Sequence, residues 1–178
     1  DTRARALDKL QAVSHKIGAT EKWRNFDRLT IVRGDYAANV LAVGADETRR
    51  QLGWIDTRID PQLWLITPQT VNAYYSPPQN EIVFPAAILQ PPYFDPAMDD
   101  AVNFGAIGAV IGHELSHGFD DQGRRYDARG NLADWWTAAD DVAFKERAAC
   151  VSNQYGSYTA VGDTKLNGAL TLGENVAD

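Results

Sequence analysis

Apolar residues recur at helical spacing close to the N-terminus. Residues 4–18 therefore predict a helix with a one-sided apolar face formed by Leu7, Leu10, Val13 and Ile17. Gly18 fits the C-terminal end of that helix. His15 lies between the apolar positions, so we predict a surface or capping role for it and not a metal-binding one.

Two later segments show the same helical pattern. Residues 35–53 predict a second helix, whose candidate core positions are Tyr36, Val40, Leu41 and Leu52. Its charged part, residues 47–50, is typical of a solvated face. Residues 139–155 predict a further helix. The helices predicted over residues 4–18 and 35–53 together indicate a helical lead-in over residues 1–60.

Residues 62–85 have a different, β-prone character. Trp64–Ile66 and Val71–Tyr75 are short runs of aromatic and β-branched residues. Residues 76–80 have the composition of a turn, and Glu81–Phe84 is a second apolar run that ends at a proline. This segment predicts a hairpin or two neighbouring strands.

The strongest helix prediction covers residues 101–118. Its apolar positions are Val102, Ile107, Val110, Ile111 and Leu115, and Asp99 or Asp100 is a candidate N-cap. Gly105, Gly108 and Gly112 recur on one side, and each glycine costs about 1 kcal/mol of helix stability relative to alanine. We therefore expect another stretch of backbone to pack closely against that side.

Taken together, these elements predict a mainly α-helical fold with a small β element. The 178 residues are about one domain in length. The net charge of −7 argues against a nucleic-acid partner, because phosphate binding requires a basic surface. The sequence contains no run of about eighteen apolar residues, so we expect no membrane span in this chain.

Residues 113–117 carry the pattern His-Glu-x-x-His within the predicted 101–118 helix. Residues four apart on a helix lie above one another, so His113 and His117 can reach one zinc ion at about 2.0–2.1 Å each. Glu114 projects from the same turn and is placed to act as the general base toward a water molecule that zinc activates.

A catalytic zinc needs a third protein ligand, which we expect to be a carboxylate because His15 lies in another helix. Glu174 is the best candidate, and Asp178 would share its face if the segment is helical, in position to orient a ligand histidine. Spacing alone favours the plainer interpretation, a solvated acidic helix end. Asp120 and Asp121 follow the helix directly and fit the ligand position less well.

The run Val71–Tyr75 also has two interpretations. As an exposed strand it could pair with an extended peptide through its backbone, with the Asn72 amide adding one donor and one acceptor. The residues alone favour ordinary core packing.

Four stretches, in this order, resemble the neprilysin and endothelin-converting-enzyme family of zinc metallopeptidases. They are VNAYYSPPQNEIVFPAAILQPP at 71–92, IGAVIGHELSHGFDDQGRRYD at 107–127, NLADWW at 131–136 and NGALTLGENVAD at 167–178. Weaker likeness extends back to residues 16–26, so the resemblance covers nearly the whole chain.

The resemblance implies a role for each matching residue. Glu174 takes the position of the third zinc ligand, and Asp178 that of the carboxylate that orients a ligand histidine. Asn72 and Ala73 take positions that hold the substrate backbone on the leaving-group side of the scissile bond. A structural role at the end of the zinc helix is implied for Asp120, Asp121 and Arg124.

The resemblance also implies an incomplete thermolysin-like (gluzincin) catalytic core. Residues 1–178 would form a single partial catalytic domain, with the third-ligand segment at 167–178. It would hold one zinc ion per chain and hydrolyse peptide bonds in short peptides. A periplasmic or extracellular location is expected by analogy.

One departure from the family pattern concerns residues that family members carry downstream of the matched region. These are a histidine that stabilises the oxyanion and an arginine that grips the substrate, and both would belong to the missing remainder of this chain. Loss of an oxyanion donor costs about 10²–10³ in turnover, so we expect the isolated fragment to be feeble or inactive.

Two rival interpretations belong to other classes of protein. A zinc-stabilised binding module would hold metal without cleaving peptides, and Glu114 argues against it. A purely structural helical domain would hold no metal. Two histidines and a carboxylate also suit other transition ions in vitro.

Overall fold

The computed structural model describes residues 2–178; Asp1, the first residue of the predicted lead-in, lies outside the described residues. The described chain is mainly helical with two small sheets, in agreement with the predicted fold class. No helix within it is long and apolar enough to cross a bilayer. In chain order the elements are α1 (Thr2–Gln11), β1 (Ser14–Gly18), α2 (Tyr36–Leu52), β2 (Tyr74–Ser76), β3 (Glu81–Pro85), α3 (Asp100–Gly105), α4 (Ile107–His117), α5 (Ala138–Ser157), β4 (Thr159–Val161), β5 (Thr164–Lys165) and α6 (Leu172–Ala177).

The chain divides into two compact units. The N-terminal segment through Ala19 and Ile66–Asp178 form one unit, and Thr20–Leu65 forms the other. All residues of the predicted site belong to the first unit. The assignment of residues 1–178 to one partial catalytic domain stays a prediction.

The smaller unit is built around α2, which confirms the helix predicted over residues 35–53. Asp35 caps it by accepting a hydrogen bond from the Ala38 backbone N–H. The four predicted core positions are nevertheless exposed: Tyr36, Val40, Leu41 and Leu52. Residues 20–65 contain no second helix or strand, so the contacts of α2 within its own unit are with loop residues such as Arg24 and Val32.

The larger unit contains a three-stranded sheet in the order β1-β3-β2. The strands β2 and β3 form the predicted antiparallel hairpin, and β3 is buried along its whole length. Asn80 ends the connecting turn with φ +46°, a conformation that asparagine tolerates. Trp64–Ile66 forms no strand and lies between two turns, one that begins at Asp60 and one that begins at Thr67.

The predicted N-terminal helix over residues 4–18 is wrong in its second half. The helix α1 ends at Gln11, and the following strand β1 pairs in parallel with β3. Cross-strand hydrogen bonds, which local spacing does not reveal, therefore override the helical pattern. Leu7, Leu10 and Ile17 are exposed and only Val13 enters the core, while His15 lies exposed on β1 as a surface residue.

The predicted 101–118 helix is interrupted at Ala106, where φ is −100° and ψ is −91°. The next N–H, that of Ile107, leaves the helical ladder and donates to the Tyr93 carbonyl oxygen at 3.0 Å. Asp99 caps the first of the two helices, α3. The expected close backbone packing is not found at these glycines: a Cβ at Gly105 or Gly112 would meet no atom within 4 Å, and one at Gly108 would lie 3.6 Å from the Asn103 carbonyl oxygen, an ordinary contact.

The core of the larger unit lies between the sheet and α4. Its buried members are Val13, Ala73, Tyr75, Ile82, Phe84, Ile88 and Ile107. The helix α5 confirms the helix predicted over residues 139–155, and α6 packs against both α4 and α5. This arrangement brings β2 and α6, which are distant from each other in sequence, beside α4, the helix that carries the His-Glu-x-x-His pattern.

One ion pair lies inside the sheet. Glu81 on β3 has a side chain only 2% exposed, and Lys16 on β1 places Nζ 2.7 Å from its Oε2. Burial raises the pKa of Glu81, and the hydrogen bond and charge of Lys16 offset part of that effect.

We expect Lys16→Met to leave this buried carboxylate without its cation and to lower the free energy of unfolding by about 3–5 kcal/mol at pH 8. A carboxyl group with a raised folded-state pKa contributes stability below its unfolded-state pKa and loses it as the pH rises. At lower pH more of the Glu81 carboxyl group is protonated and needs no cation. The decrease in the free energy of unfolding caused by Lys16→Met should therefore be smaller at pH 5 than at pH 8. Urea unfolding at both pH values measures it.

The control is Lys22→Met, which removes an exposed ion pair with Asp60. It should cost less than about 1 kcal/mol at either pH. A Lys16→Met loss as small as that of the control would contradict the stabilising role of the buried pair.

Candidate metal centre

The helix α4 presents its two histidines on one face. The rings of His113 and His117 lie edge to face with centroids 4.5 Å apart. Their Nε2 atoms are 3.0 Å apart and point to a common position. The spacing of four residues therefore brings both imidazoles to one site, as a helix requires.

The third candidate ligand comes from α6. Glu174 Oε2 lies 3.3 Å from His113 Nε2 and 3.6 Å from His117 Nε2. The chain reaches this position by passing very close to α5, where a Cβ at Gly168 would lie 2.0 Å from the Ser152 carbonyl oxygen. Glycine is thus required at the point where the third-ligand segment crosses α5.

These three atoms have the separation expected of zinc ligands. Ligand atoms at about 2.0–2.1 Å from a tetrahedral ion lie about 3.3 Å from one another. The three observed distances, 3.0, 3.3 and 3.6 Å, lie around that value. Two imidazole nitrogens and one carboxylate are also a donor set that suits zinc with an open fourth position. The residues present therefore fit a zinc ion.

A carboxylate contacts the other nitrogen of each imidazole. Asp178 Oδ1 lies 2.8 Å from His113 Nδ1, and Asp120 Oδ2 lies 2.8 Å from His117 Nδ1. Because an ionised carboxylate only accepts hydrogen bonds, each Nδ1 carries the hydrogen. In a neutral imidazole this leaves a lone pair on Nε2, which is the form that binds a metal.

Asp120 makes a contact that the sequence does not predict. The sequence indicates a structural role at the end of the helix and a poor fit to the ligand position, but the Asp120 carboxylate contacts a candidate ligand directly. The available signal was its position three residues after His117, where the chain leaves α4. Arg124 agrees with its predicted structural role, since it donates to Asp141 and lies over the Trp136 ring.

Hydrogen bonds keep the Asp120 carboxylate ionised. Burial alone would raise its pKa, but donors from His117 and from the backbone N–H groups of Gly123 and Gln122 outweigh that effect and lower the pKa. In return, the hydrogen bond to Asp120 raises the pKa of His117 above its ordinary value.

Gly123 closes the turn after α4 onto the helix. A Cβ at this position would lie 1.8 Å from the His117 carbonyl oxygen. The same residue donates its N–H to Asp120 Oδ1. Only glycine can therefore approach His117 closely enough to hold Asp120 in place.

Glu114 is nearly buried, at 5% exposure, on the same turn of α4. Burial raises its pKa, and the two neighbouring histidines and the backbone of Tyr75 offset only part of that effect. It lies beside the three candidate ligand atoms and is not one of them. This is the position expected of a group that exchanges a proton beside a metal.

A cavity of about 360 Å³ joins these groups to the strand β2. Among its lining residues are Asn72, Ala73, His113, Glu114, His117 and Glu174. The structure thus gathers six of the seven predicted site residues around one space, and the seventh, Asp178, contacts His113. Both interpretations of Val71–Tyr75 find support, because Ala73 and Tyr75 lie in the core while Asn72 is exposed beside the cavity.

Comparison with known proteins points to one family. Residues 72–178 match the model of peptidase family M13. An endothelin-converting enzyme homolog of Locusta migratoria is 44% identical over 185 residues, which cover 100% of this chain and 25% of that protein. Neprilysin of Homo sapiens is 38% identical over 188 residues, covering 100% of this chain and 25% of that protein. The chain therefore spans about a quarter of the length of these relatives.

Solved structures show the same likeness. The zinc metalloprotease Zmp1 of Mycobacterium tuberculosis, in complex with an inhibitor, matches with a TM-score of 0.94 and 50% identity over 99% of this chain and 28% of that one. PepO from Lactobacillus rhamnosis matches with a TM-score of 0.86 and 37% identity, again over 99% of this chain and 28% of that one.

We expect Gly123→Ala to force its Cβ into the His117 carbonyl and to lower the free energy of unfolding by about 3 kcal/mol. The matched control is Gly112→Ala on α4, where a Cβ would meet no atom within 4 Å. It should raise stability by up to about 1 kcal/mol, because alanine is the better helix former. Urea unfolding of both variants measures this, and a neutral Gly123→Ala would refute the close approach.

Proposed function

Because the chain belongs to peptidase family M13, we propose that it carries the zinc site of an endopeptidase that hydrolyses peptide bonds in short peptides. The observation that carries the proposal is the convergence of His113, His117 and Glu174, with Glu114 beside them. His113, His117 and Glu174 would hold one zinc ion. Two histidine ligands on one helix, followed later in the chain by a glutamate ligand, support a gluzincin-like core.

Zinc, when bound, supplies a Lewis acid that polarises the scissile carbonyl and acidifies water at the open position. Glu114 accepts the proton of the attacking water and passes it to the leaving amine. Its burial supports this role, because a raised pKa makes the carboxylate a stronger base toward the proton of the attacking water.

The strand β2 would hold the substrate. It is the last strand in the sheet order, the position at which an extended peptide could add as a further strand. Asn72 lies two residues before β2 and lines the cavity, and its exposed amide offers one donor and one acceptor to a substrate backbone. Ala73 is buried, and its small side chain lets the substrate backbone approach.

The two remaining carboxylates orient the ligands. Asp178 would fix the His113 ring, and Asp120 would fix the His117 ring, each through Nδ1. The activity itself belongs to the full-length protein that carries this chain, as does the expected periplasmic or extracellular location.

We expect the full-length protein to contain about one zinc ion per chain, and His117→Ala and Glu174→Ala each to lose it, because each removes one of only three protein ligands. His15→Ala, which alters the exposed histidine on β1, should retain the metal. Elemental analysis after dialysis measures zinc content. Retention of zinc by both ligand variants would refute this ligand set.

We expect Glu114→Gln to keep zinc but to lower peptide cleavage by about 100-fold or more, since general acid–base catalysis contributes 10²–10⁴-fold. Glu146→Gln, on the exposed surface of α5, should leave cleavage unchanged. Steady-state cleavage of a fluorogenic peptide measures both. Undiminished turnover by Glu114→Gln would exclude Glu114 as the base, and bound zinc without any cleavage by the parent protein would favour a zinc-stabilised binding module.

A further inference from the structure

The helix α1 buries a lysine and leaves its leucines outside. The Lys9 side chain is 0% exposed, whereas Leu7 and Leu10 on the same helix are 48% and 42% exposed. Burial of an ammonium group is costly unless every hydrogen on it finds an acceptor. Lys9 meets that condition, because Nζ donates to the carbonyl oxygens of Gly118 at 2.6 Å, Gly123 at 2.7 Å and Tyr126 at 2.7 Å.

The three acceptors all belong to residues 118–126, the turn that follows α4. Aromatic rings complete the surroundings of the ammonium group, with centroids 5.4 Å away for Phe119, 5.8 Å for Tyr75 and 5.9 Å for Trp135. Burial lowers the pKa of Lys9 to about 8, and the carboxylates of Asp120 and Asp127 oppose that effect. The proposed reaction assigns no step to this group.

We infer that Lys9 is a positioning residue of the metal centre, which fixes the turn 118–126 and thereby holds Asp120 against His117. The inference rests on the proposed function, because it concerns the affinity of the same site for zinc.

Two connections carry this inference. The first runs through Gly123, whose carbonyl accepts from Lys9 Nζ while its N–H donates to Asp120 Oδ1. Lys9 and Asp120 thus hold the same residue from its two sides. Asp120 Oδ2 in turn contacts His117 Nδ1. Three hydrogen bonds, joined by the Gly123 backbone and the Asp120 carboxylate, therefore lead from the ammonium group to the candidate ligand.

The second connection reaches the other wall of the cavity. The Lys9 carbonyl accepts from Asn80 Nδ2 at 3.0 Å, and Asn80 Oδ1 accepts from the Tyr75 hydroxyl at 2.7 Å. The Tyr75 ring lies against Gly118, where a Cβ would be 3.3 Å from its hydroxyl oxygen. Lys9 therefore touches both the turn after α4 and the hairpin that borders the cavity.

A lysine suits this position for a geometric reason. Three carbonyl groups converge from separate residues of one turn, and an ammonium group offers three donors around a single atom. A methionine of similar length would fill the space but would donate to none of them. The backbone of residues 118–126 would then be less rigid, and the Asp120 carboxylate would orient the His117 ring less well.

The test measures the zinc dissociation constant of the full-length protein by competition with a chromophoric chelator. We expect Lys9→Met to weaken zinc binding about tenfold, the lower end of the effect of removing an outer partner of a ligand. The matched control is Thr2→Ala on the same helix, whose hydroxyl group forms hydrogen bonds with the Thr137 N–H and with Asp140. It should change zinc affinity less than twofold.

A double-mutant cycle separates positioning from general stability. If Lys9 acts through Asp120, Lys9→Met should change zinc affinity by less than about twofold in an Asp120→Ala background. A Lys9→Met protein that binds zinc like the wild type would overturn the inference. So would an undiminished effect of Lys9→Met in the Asp120→Ala background.

Lys9→Gln extends the test to the case in which Lys9→Met does not fold. Glutamine keeps two N–H donors without the charge, so its zinc affinity should lie below that of the wild type and above that of any folded Lys9→Met protein. If neither variant folds, Lys9 is a folding residue and the inference fails. If the wild-type protein itself binds no zinc, the proposed function fails first, and that outcome is distinct from equal binding by wild type and variants.

Discussion

The candidate metal centre depends on which nitrogen of each imidazole faces the cavity. Asp178 and Asp120 each contact an Nδ1 atom at 2.8 Å, and this leaves both Nε2 atoms facing Glu174. The two carboxylates come from different places, one at the end of α6 and the other in the turn after α4. Much of the larger unit serves to hold these two segments beside one helix. Two glycines make this possible, because Gly168 lets the third-ligand segment pass close to α5 and Gly123 lets the turn after α4 pass close to His117.

The same arrangement concentrates negative charge. Four carboxyl groups, those of Glu114, Asp120, Glu174 and Asp178, surround two imidazoles. In the neutral-imidazole form that binds a metal, the three electron-pair donors face one another at 3.0–3.6 Å and repel one another. A divalent ion would remove that repulsion and would couple metal binding to the stability of the fold. This supports the proposed zinc site independently of the family relationship.

Sequence reasoning succeeded where a property is local and failed where it depends on partners. The spacing of His113 and His117 is local, so the helix and its shared face followed directly. Glu174 lies far along the chain, and spacing alone favoured a solvated helix end until the family resemblance was considered. The strand at Ser14–Gly18 was predicted as helix because its pairing with β3 is non-local. The break at Ala106 has the same origin, since the Tyr93 carbonyl competes for the Ile107 N–H.

Lys9 illustrates a more general limit of hydrophobic patterns. A pattern of apolar residues places leucines inside and lysines outside, and on α1 the structure reverses both. The reversal is possible because a turn with several inward-facing carbonyl groups is itself a polar surface, which an ammonium group covers better than a methyl group does. The segment that follows His117 is such a turn, because the carbonyl groups of Gly118, Gly123 and Tyr126 all accept from Lys9. A buried lysine opposite such a turn is therefore better explained by the polar groups that it satisfies than by the helix on which it lies.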